Sequence, residues 1–226
     1  VFLSKAQNEM APLELASANR SIASYHWDKE SLYVKINGAS YETPFELDLC
    51  GIYQCNNLLT VLAAIDQLTN AGFSIGKEAI YSGIKNTKKN TGLLGRWEQL
   101  SSNPALVVDV AHNPEGIEQV LLQLKHTSYD KLHLIMGMVK DKDCERVLSS
   151  LPMDAKFYFT QAQLPRAMPS EELACLASKK GIIGSTHAHV NDAIKEAKQN
   201  ATAKDLILVC GSIFLVAEVG RNFWTR

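Results

Sequence analysis

Little in this chain is extreme, and its absences narrow the reading before any motif does. Lysine and arginine number 23 against 24 aspartates and glutamates, a formal net charge of -1, so no basic excess points to a nucleic-acid partner. No apolar run approaches the ~20 residues that a membrane-spanning helix needs. The start Val1-Phe2-Leu3-Ser4-Lys5 lacks the charged, apolar and small-residue order of a secretory leader. A cytoplasmic protein with no membrane partner is the expectation. The 5 cysteines, Cys50, Cys55, Cys144, Cys175 and Cys210, are odd in number and scattered, which suits reduced packing thiols better than disulfides or zinc. His187 and His189 alternate with no third ligand type near them, so no metal is assigned there. There is no internal repeat, no low-complexity tract and no G-x-x-x-x-G-K-[ST] phosphate loop. The chain starts on Val1 rather than Met, which hints at a piece of something longer.

What remains is ordinary globular material: 226 residues, 46% apolar and 21% charged, enough for a real core and roughly one and a half to two domains at ~150 residues each. The style of the chain changes near residue 100. Before it, a mixed segment precedes Leu32-Tyr33-Val34-Lys35-Ile36, the turn pair Asn37-Gly38 and a second extended run to Leu49, a hairpin pattern. Asn56-Asn57 then precedes the apolar positions Leu58, Leu59, Val61, Leu62, Ile65 and Leu68 of a buried helix closed by Gly72. Ser74 is placed to cap a short helix through Ile84, and residues 86–91 read as a lysine-bearing link. From Pro104 onward, apolar strands alternate with capped helices. The strands are 105–108, 132–136, 156–159, a weaker one around 182–183, and 206–210; the helices start near Pro114, Lys142 and Ser212, and two more are expected to be capped by Ser170 and by Asn191. Such alternation predicts an α/β fold with a mostly parallel sheet and helices on both faces.

The most telling stretch is Asp109-Val110-Ala111-His112-Asn113-Pro114, directly after Ala105-Leu106-Val107-Val108. It places an acid and an imidazole between a buried strand and a helix. Asn113 is a good N-cap, Pro114 fits the first helical position, and Ile117, Val120, Leu121 and Leu124 make one apolar face. Ligands of open parallel sheets bind beyond the carboxyl ends of the strands, where helix N-termini offer free N–H groups. The plainer alternative is a strand, a cap and a helix with no ligand at all.

Six motifs follow one another in order: Gly51-Ile52-Tyr53-Gln54-Cys55-Asn56-Asn57, Leu94-Gly95-Arg96-Trp97-Glu98, the Asp109 to Pro114 stretch, Gly137 with Asp141-Lys142-Asp143, Pro165-Arg166-Ala167, and Cys210-Gly211-Ser212. In that order the chain resembles the folylpolyglutamate synthase and dihydrofolate synthase family, relatives of the muramyl peptide ligases. The resemblance runs from about residue 45 to the end. It implies residues 1–98 as the C-terminal end of an ATP-binding domain and 99–226 as a Rossmann-like C-terminal α/β domain, with ATP in the cleft between them. The implied reaction is ATP-dependent addition of L-glutamate to folate or dihydropteroate through an acyl phosphate, with Mg2+ held by residues that have no counterpart here. Alone, the chain is expected to be inactive, and a monomer is expected.

By the same resemblance, Asn57 would contact adenine, Arg96 the phosphates and Asp109 the ribose hydroxyls, while His112 would face the nucleotide or the reacting groups. Tyr53 stands where the family more often has histidine. Each has a bland alternative: a helix-start cap for Asn57, a surface side chain for Arg96, a turn cap for Asp109 and a structural role for His112. Lys142, with Lys140 beside it, and Ser212 are candidates to hold a glutamate carboxylate, against a solvated loop and a plain N-cap. Arg166 belongs to a motif whose task the sequence does not disclose. Two rival readings stay open: a related muramyl-type amide ligase, and a non-catalytic nucleotide-binding module.

Overall fold

The computed structural model describes residues 1–28, 31–38 and 41–224, which form two compact units, Val1–Gly92 and Leu93–Arg226. Among the described residues no helix is long and apolar enough to cross a membrane.

The first unit runs α1 (Phe2–Asn8), β1 (Ser21–Trp27), β2 (Leu32–Asn37), β3 (Phe45–Leu47), α2 (Gln54–Asn70), α3 (Lys77–Lys85) and α4 (Thr87–Thr91). Its three strands form an antiparallel sheet in chain order. Every second residue of β2, Leu32, Val34 and Ile36, turns inward onto Phe45, Leu47 and the α2 residues Leu58, Leu59 and Leu62, the period that one buried sheet face imposes. β1 comes from the segment that sequence alone left mixed. The expected hairpin is present in part: β2 pairs with β3, but Leu32 opposes Leu47 and Val34 opposes Phe45. The connection is therefore longer than a two-residue turn at Asn37-Gly38. Gly38 does take a left-handed φ of +76°, and Ala39 and Ser40 lie outside the described residues. α2 starts at Gln54, before the Asn56-Asn57 pair, because Tyr53 already has helical backbone angles and no side chain caps the end. The expected Ser74 cap is likewise replaced by Gly76, and the lysine-bearing link closes into α4.

The second unit runs β4 (Glu98–Ser102), β5 (Ala105–Val108), α5 (Pro114–Lys125), β6 (Leu132–Met136), α6 (Cys144–Ser150), β7 (Lys156–Phe159), α7 (Ser170–Ser178), β8 (Gly184–Thr186), α8 (Val190–Asn200), β9 (Leu206–Cys210), α9 (Ile213–Ala217) and α10 (Arg221–Trp224). One six-stranded sheet has the order β4-β5-β9-β6-β7-β8, with β4 antiparallel and the rest parallel. This is the α/β fold the alternation predicts. Leu106, Val108, Ile135, Tyr158, Ile207 and Val209 face α8 and α9. Their neighbours along each strand, such as Val107, Leu134, Met136, Phe159 and Leu208, are equally buried and turn to the other face. There α5, α6 and α7 pack in a row. β9 inserts between β5 and β6, so its exit leads to one face while its neighbours' exits lead to the other. That divergence opens a crevice at the carboxyl edge.

Asn113 caps α5 as expected, its Oδ1 accepting the Gly116 N–H at 2.8 Å. Asn191 does not cap α8. Its amide accepts from Gly220 N (2.9 Å) and Trp224 Nε1 (3.1 Å) and donates to the Glu218 carbonyl (3.0 Å), pinning the C-terminal segment. Ser170 is the first residue of α7 rather than its cap. Of the cysteines, Cys55, Cys144 and Cys210 are buried, and no disulfide joins any of the five.

Candidate functional site

The turn before β4 is built around two left-handed residues, Gly95 (φ +71°) and Trp97 (φ +47°), with Arg96 between them. Glycine is required at 95, since a Cβ there would lie 2.6 Å from Val110 Cγ1. Trp97 has no such freedom, and a non-glycine residue in this region costs on the order of 1–3 kcal/mol. The surroundings hold it there. The Trp97 N–H donates to Asp109 Oδ2 at 2.8 Å, the Val110 N–H donates to the Gly95 carbonyl at 2.9 Å, and the Gly95 N–H donates to Glu98 Oε2 at 2.7 Å. Glu98 is in turn gripped by Arg221, with Nε and Nη2 each 3.0 Å from a carboxylate oxygen. On this pinned turn Arg96 is half-buried, and among the described residues its guanidinium has no hydrogen-bond or ion-pair partner. Its five N–H donors are available to an anion.

Asp109 ends β5 and is 3% exposed. Besides Trp97 N–H on Oδ2, it accepts the Ala111 N–H on Oδ1 at 2.9 Å. Each oxygen thus satisfies one backbone donor, and the carboxylate ties the Arg96 turn to the turn that carries His112. The charge also adds to the effect of burial on Cys210, whose thiol is pushed far up and kept unreactive. His112 is half-buried, with Nδ1 3.0 Å from the Val110 carbonyl. A carbonyl can only accept, so Nδ1 carries a proton and Nε2 is the ring nitrogen left for other contacts.

Neighbouring strand ends close on one another through glycine. The Gly211 N–H donates to the Ala111 carbonyl at 2.8 Å, and a Cβ on Gly211, whose φ is +107°, would lie 2.6 Å from the Gly137 carbonyl oxygen. Ser212 follows, 3% exposed, its Oγ accepting the Phe214 N–H at 3.2 Å as the cap of α9. Beyond Gly137, the loop of residues 138–143 is stitched to the loop after β7: Lys140 N donates to the Arg166 carbonyl (3.1 Å) and Met168 N to the Met138 carbonyl (2.9 Å). Arg166 Nη2 meets Asp141 Oδ2 at 2.7 Å, and its guanidinium stands 5.7 Å from the centre of the Phe214 ring. Partial desolvation of Asp141 works against its charge, but its own N–H and the Arg166 guanidinium outweigh it and hold the carboxyl below its usual range. Lys142 makes no side-chain hydrogen bond or salt bridge among the described residues.

The structure thus brings Arg96, Asp109, His112, Lys142, Arg166 and Ser212 to the carboxyl edge of the second unit's sheet. Asn57 belongs to the first unit. It is exposed in the first turn of α2, its Nδ2 donating to Gln54 Oε1 at 2.8 Å, so the helix-start cap is ruled out. It borders an apolar cavity of about 290 Å³ lined also by Leu47, Leu49, Leu58, Val61 and Ile84. His187 is paired with Glu196 at 2.8 Å. Among the described residues no group of three or more His, Cys, Asp or Glu side chains is arranged to hold a metal ion. A magnesium ion held mainly by protein side chains therefore has no site among them. Sequence reasoning missed the Glu98–Arg221 grip and the Arg166 clasp, since both join positions far apart in the chain.

Residues 95–213 match the family described as Mur ligase, glutamate ligase domain. The chain belongs to that family. The match starts at the pinned glycine of the Arg96 turn and ends on the first residue of α9, so it takes in the whole carboxyl edge. Among curated relatives, a probable bifunctional folylpolyglutamate synthase/dihydropteroate synthase of Haloferax volcanii is 33% identical over 181 residues, covering 80% of this chain and 21% of the relative. The dihydrofolate synthase/folylpolyglutamate synthase of Escherichia coli is 31% identical over 165 residues, 72% of this chain and 36% of the relative. Among solved structures, Mycobacterium tuberculosis folylpolyglutamate synthase complexed with ADP superposes with a TM-score of 0.83 at 22% identity, over 99% of this chain and 52% of that one. The chain therefore spans between a fifth and about half the length of the proteins it matches.

Proposed function

We propose that this chain works as part of an ATP-dependent ligase that joins L-glutamate to folate or dihydropteroate. The observation that carries the reading is the unpartnered Arg96 guanidinium, held on a strained turn by Asp109, beside His112 at the carboxyl edge of a glutamate ligase domain. Strain persists where surrounding structure over-determines it, and such positions cluster at ligand sites. The relatives' names supply the substrates. In this reading the first unit ends an ATP-binding domain and the second forms the ligase's C-terminal α/β domain, with the division at residues 92/93 rather than at the 98/99 of the sequence expectation, in a cytoplasmic monomer.

The chemistry is two displacements at one carboxyl group. An acceptor carboxylate oxygen attacks the terminal phosphorus of ATP and ADP departs, leaving an acyl phosphate. The glutamate amine then attacks the acyl carbon, the amide forms and phosphate departs with the bonding electrons. Such steps need charge neutralisation and alignment more than covalent help from the protein. Arg96 supplies fixed donors to the nucleotide phosphates. Asp109 keeps that arginine's turn in place, and its carboxylate is the candidate acceptor for the ribose hydroxyls. His112, with Nδ1–H committed to Val110, offers Nε2 to take the proton that the amine sheds. Lys142 and Ser212 serve the glutamate side. Asn57 remains the candidate adenine contact of the first unit. Magnesium assists phosphoryl transfer in general by neutralising phosphate charge; no step above runs through residues of this chain that would bind it.

The test is glutamate-dependent phosphate release from ATP with a folate or dihydropteroate acceptor and Mg2+, using the protein that carries this chain and, in parallel, the 226-residue chain by itself. Turnover by the former and none by the latter is expected. Absence of turnover with either acceptor in the longer protein refutes the substrate assignment. Turnover on the order of 1 per second by the chain alone refutes the expectation that it is inactive by itself.

A further inference from the structure

Arg166 is the one motif residue without a task, and the structure supplies one. Its guanidinium lies between two loops that each carry a candidate glutamate-side residue. On one side it pairs at 2.7 Å with Asp141, the immediate neighbour of Lys142. On the other it covers Phe214, two residues after Ser212 and 40% exposed, at 5.7 Å from the ring centre. The Arg166 backbone carbonyl accepts the Lys140 N–H at 3.1 Å, and Val139 and Ala167 pair as an isolated antiparallel bridge. The loop that carries Arg166 is therefore fastened to the loop of Asp141 and Lys142 twice, by backbone and by side chain.

The backbone bonds would hold the loops without any arginine, so the side chain has a separate job. Lys142 is a point charge on a flexible stem whose ammonium makes no hydrogen bond or salt bridge among the described residues, though its charge is felt by Asp141. What limits where its ammonium can go is the backbone just before it, and that is where Asp141 is held. Between them Lys140, Lys142 and Arg166 set three cationic groups against Asp141 and Asp143, and Asp143 is occupied in capping α6 through the Arg146 N–H at 3.1 Å. The balance suits an anionic ligand. We propose that Arg166 is the positioning residue for the incoming amino acid: by clasping Asp141 to the Phe214 end of α9, it sets Lys142 to receive a side-chain carboxylate and favours a dicarboxylic amino acid over its amide. The inference rests on the ligase reading above but names the residue that sets the substrate's charge preference.

The experiment uses the protein that carries this chain, with variants Arg166→Ala, Arg166→Lys and Asp141→Asn, and two readouts. The first is steady-state kinetics with L-glutamate and ATP varied separately. Arg166→Ala is expected to raise KM for L-glutamate about tenfold while KM for ATP and kcat stay within about twofold. Arg166→Lys keeps the charge for Asp141 and loses the planar contact with Phe214, so it recovers part of the loss, and Asp141→Asn resembles the alanine variant. The second is direct binding of L-glutamate and of L-glutamine by calorimetry, where wild type prefers glutamate and Arg166→Ala loses the preference. If wild type proves inactive yet binds L-glutamate in an Arg166-dependent way, the ligase reading fails and the role of Arg166 stands. If wild type is active and Arg166→Ala leaves KM for L-glutamate within about twofold, or moves the ATP and glutamate constants together with a lower melting temperature, the proposal is overturned. Absence of both activity and L-glutamate binding in wild type overturns it as well.

Discussion

Replacing Asp109 by alanine removes a carboxylate that accepts two buried backbone N–H groups, those of Trp97 at 2.8 Å and Ala111 at 2.9 Å. At 3% exposure, water cannot readily take the place of either oxygen. A hydrogen bond to a charged group is worth about 1.5–3 kcal/mol, and an abandoned buried donor costs about 1–3 kcal/mol. The variant also frees Trp97 from the bond that holds it at positive φ, and relief of that strain returns part of the loss. The net cost is about 2–5 kcal/mol, or a fall in melting temperature of roughly 6–20 °C for a unit of this size. Asp109→Asn keeps one acceptor oxygen and should lose about half as much. The assay is thermal unfolding followed by far-ultraviolet circular dichroism, with the urea midpoint as a second measure. Both variants should also weaken ATP use, because Arg96 rides on the same turn. An Asp109→Ala protein melting within about 2 °C of wild type would show that the two amide bonds contribute nothing and would undo the account of the turn.

The Ala111 N–H on Oδ1 is the turn cap that the sequence offered as the plain role of Asp109, whereas the bond from Trp97 was not legible there, for a physical reason. The motif shows an acid at a strand end, but not which donors lie across the turn. Trp97 stands twelve positions earlier, and only the fold brings its N–H to Oδ2. The legible features were those whose cause is local. Asn113 caps α5 because its side chain needs only a donor three residues on, and the buried strands of the second unit follow from continuous apolar runs between turn residues. Asn191 has the same local signature as Asn113 and serves a different end, since three groups of the C-terminal segment compete for its amide and win. Arg166 was visible as a motif and opaque as a device for the same reason: both Asp141 and Phe214 are distant in the chain. β1 escaped notice because its burial pattern is nearly all exposed, which leaves no period of two to read.

Three further outcomes follow from the geometry. Arg96→Ala should raise KM for ATP about tenfold or more, the loss of a charged hydrogen bond, with no drop in melting temperature, whereas Lys204→Ala on an exposed loop at the opposite edge should alter neither; unchanged ATP kinetics with a lower melting temperature would make Arg96 structural. Gly211→Ala should destabilise the second unit by about 1–3 kcal/mol, because its φ of +107° is unfavourable for alanine and the new methyl would press on the Gly137 carbonyl at 2.6 Å; an unaltered urea midpoint would count against that close approach. The last concerns acid sensitivity. His133 is 2% exposed, its Nδ1 2.9 Å from the Tyr158 hydroxyl and its Nε2 3.5 Å from Asp205. Burial pulls its pKa below the ordinary value, and the Asp205 charge offsets only part of that. The unfolded chain, with an ordinary histidine near pH 6.5, therefore binds more protons than the native state between the depressed native value and about 6.5. Stability must fall as pH drops below about 6.5, with no contribution from this group above it. Asp205, which burial alone would raise but which the Thr202 N–H and His133 hold low, adds its own loss only below the ordinary carboxylate range. His133→Gln cannot titrate, so its urea midpoint should fall less than that of wild type between pH 7 and about pH 5. Parallel pH profiles for the two proteins would show that His133 is not buried as a neutral ring.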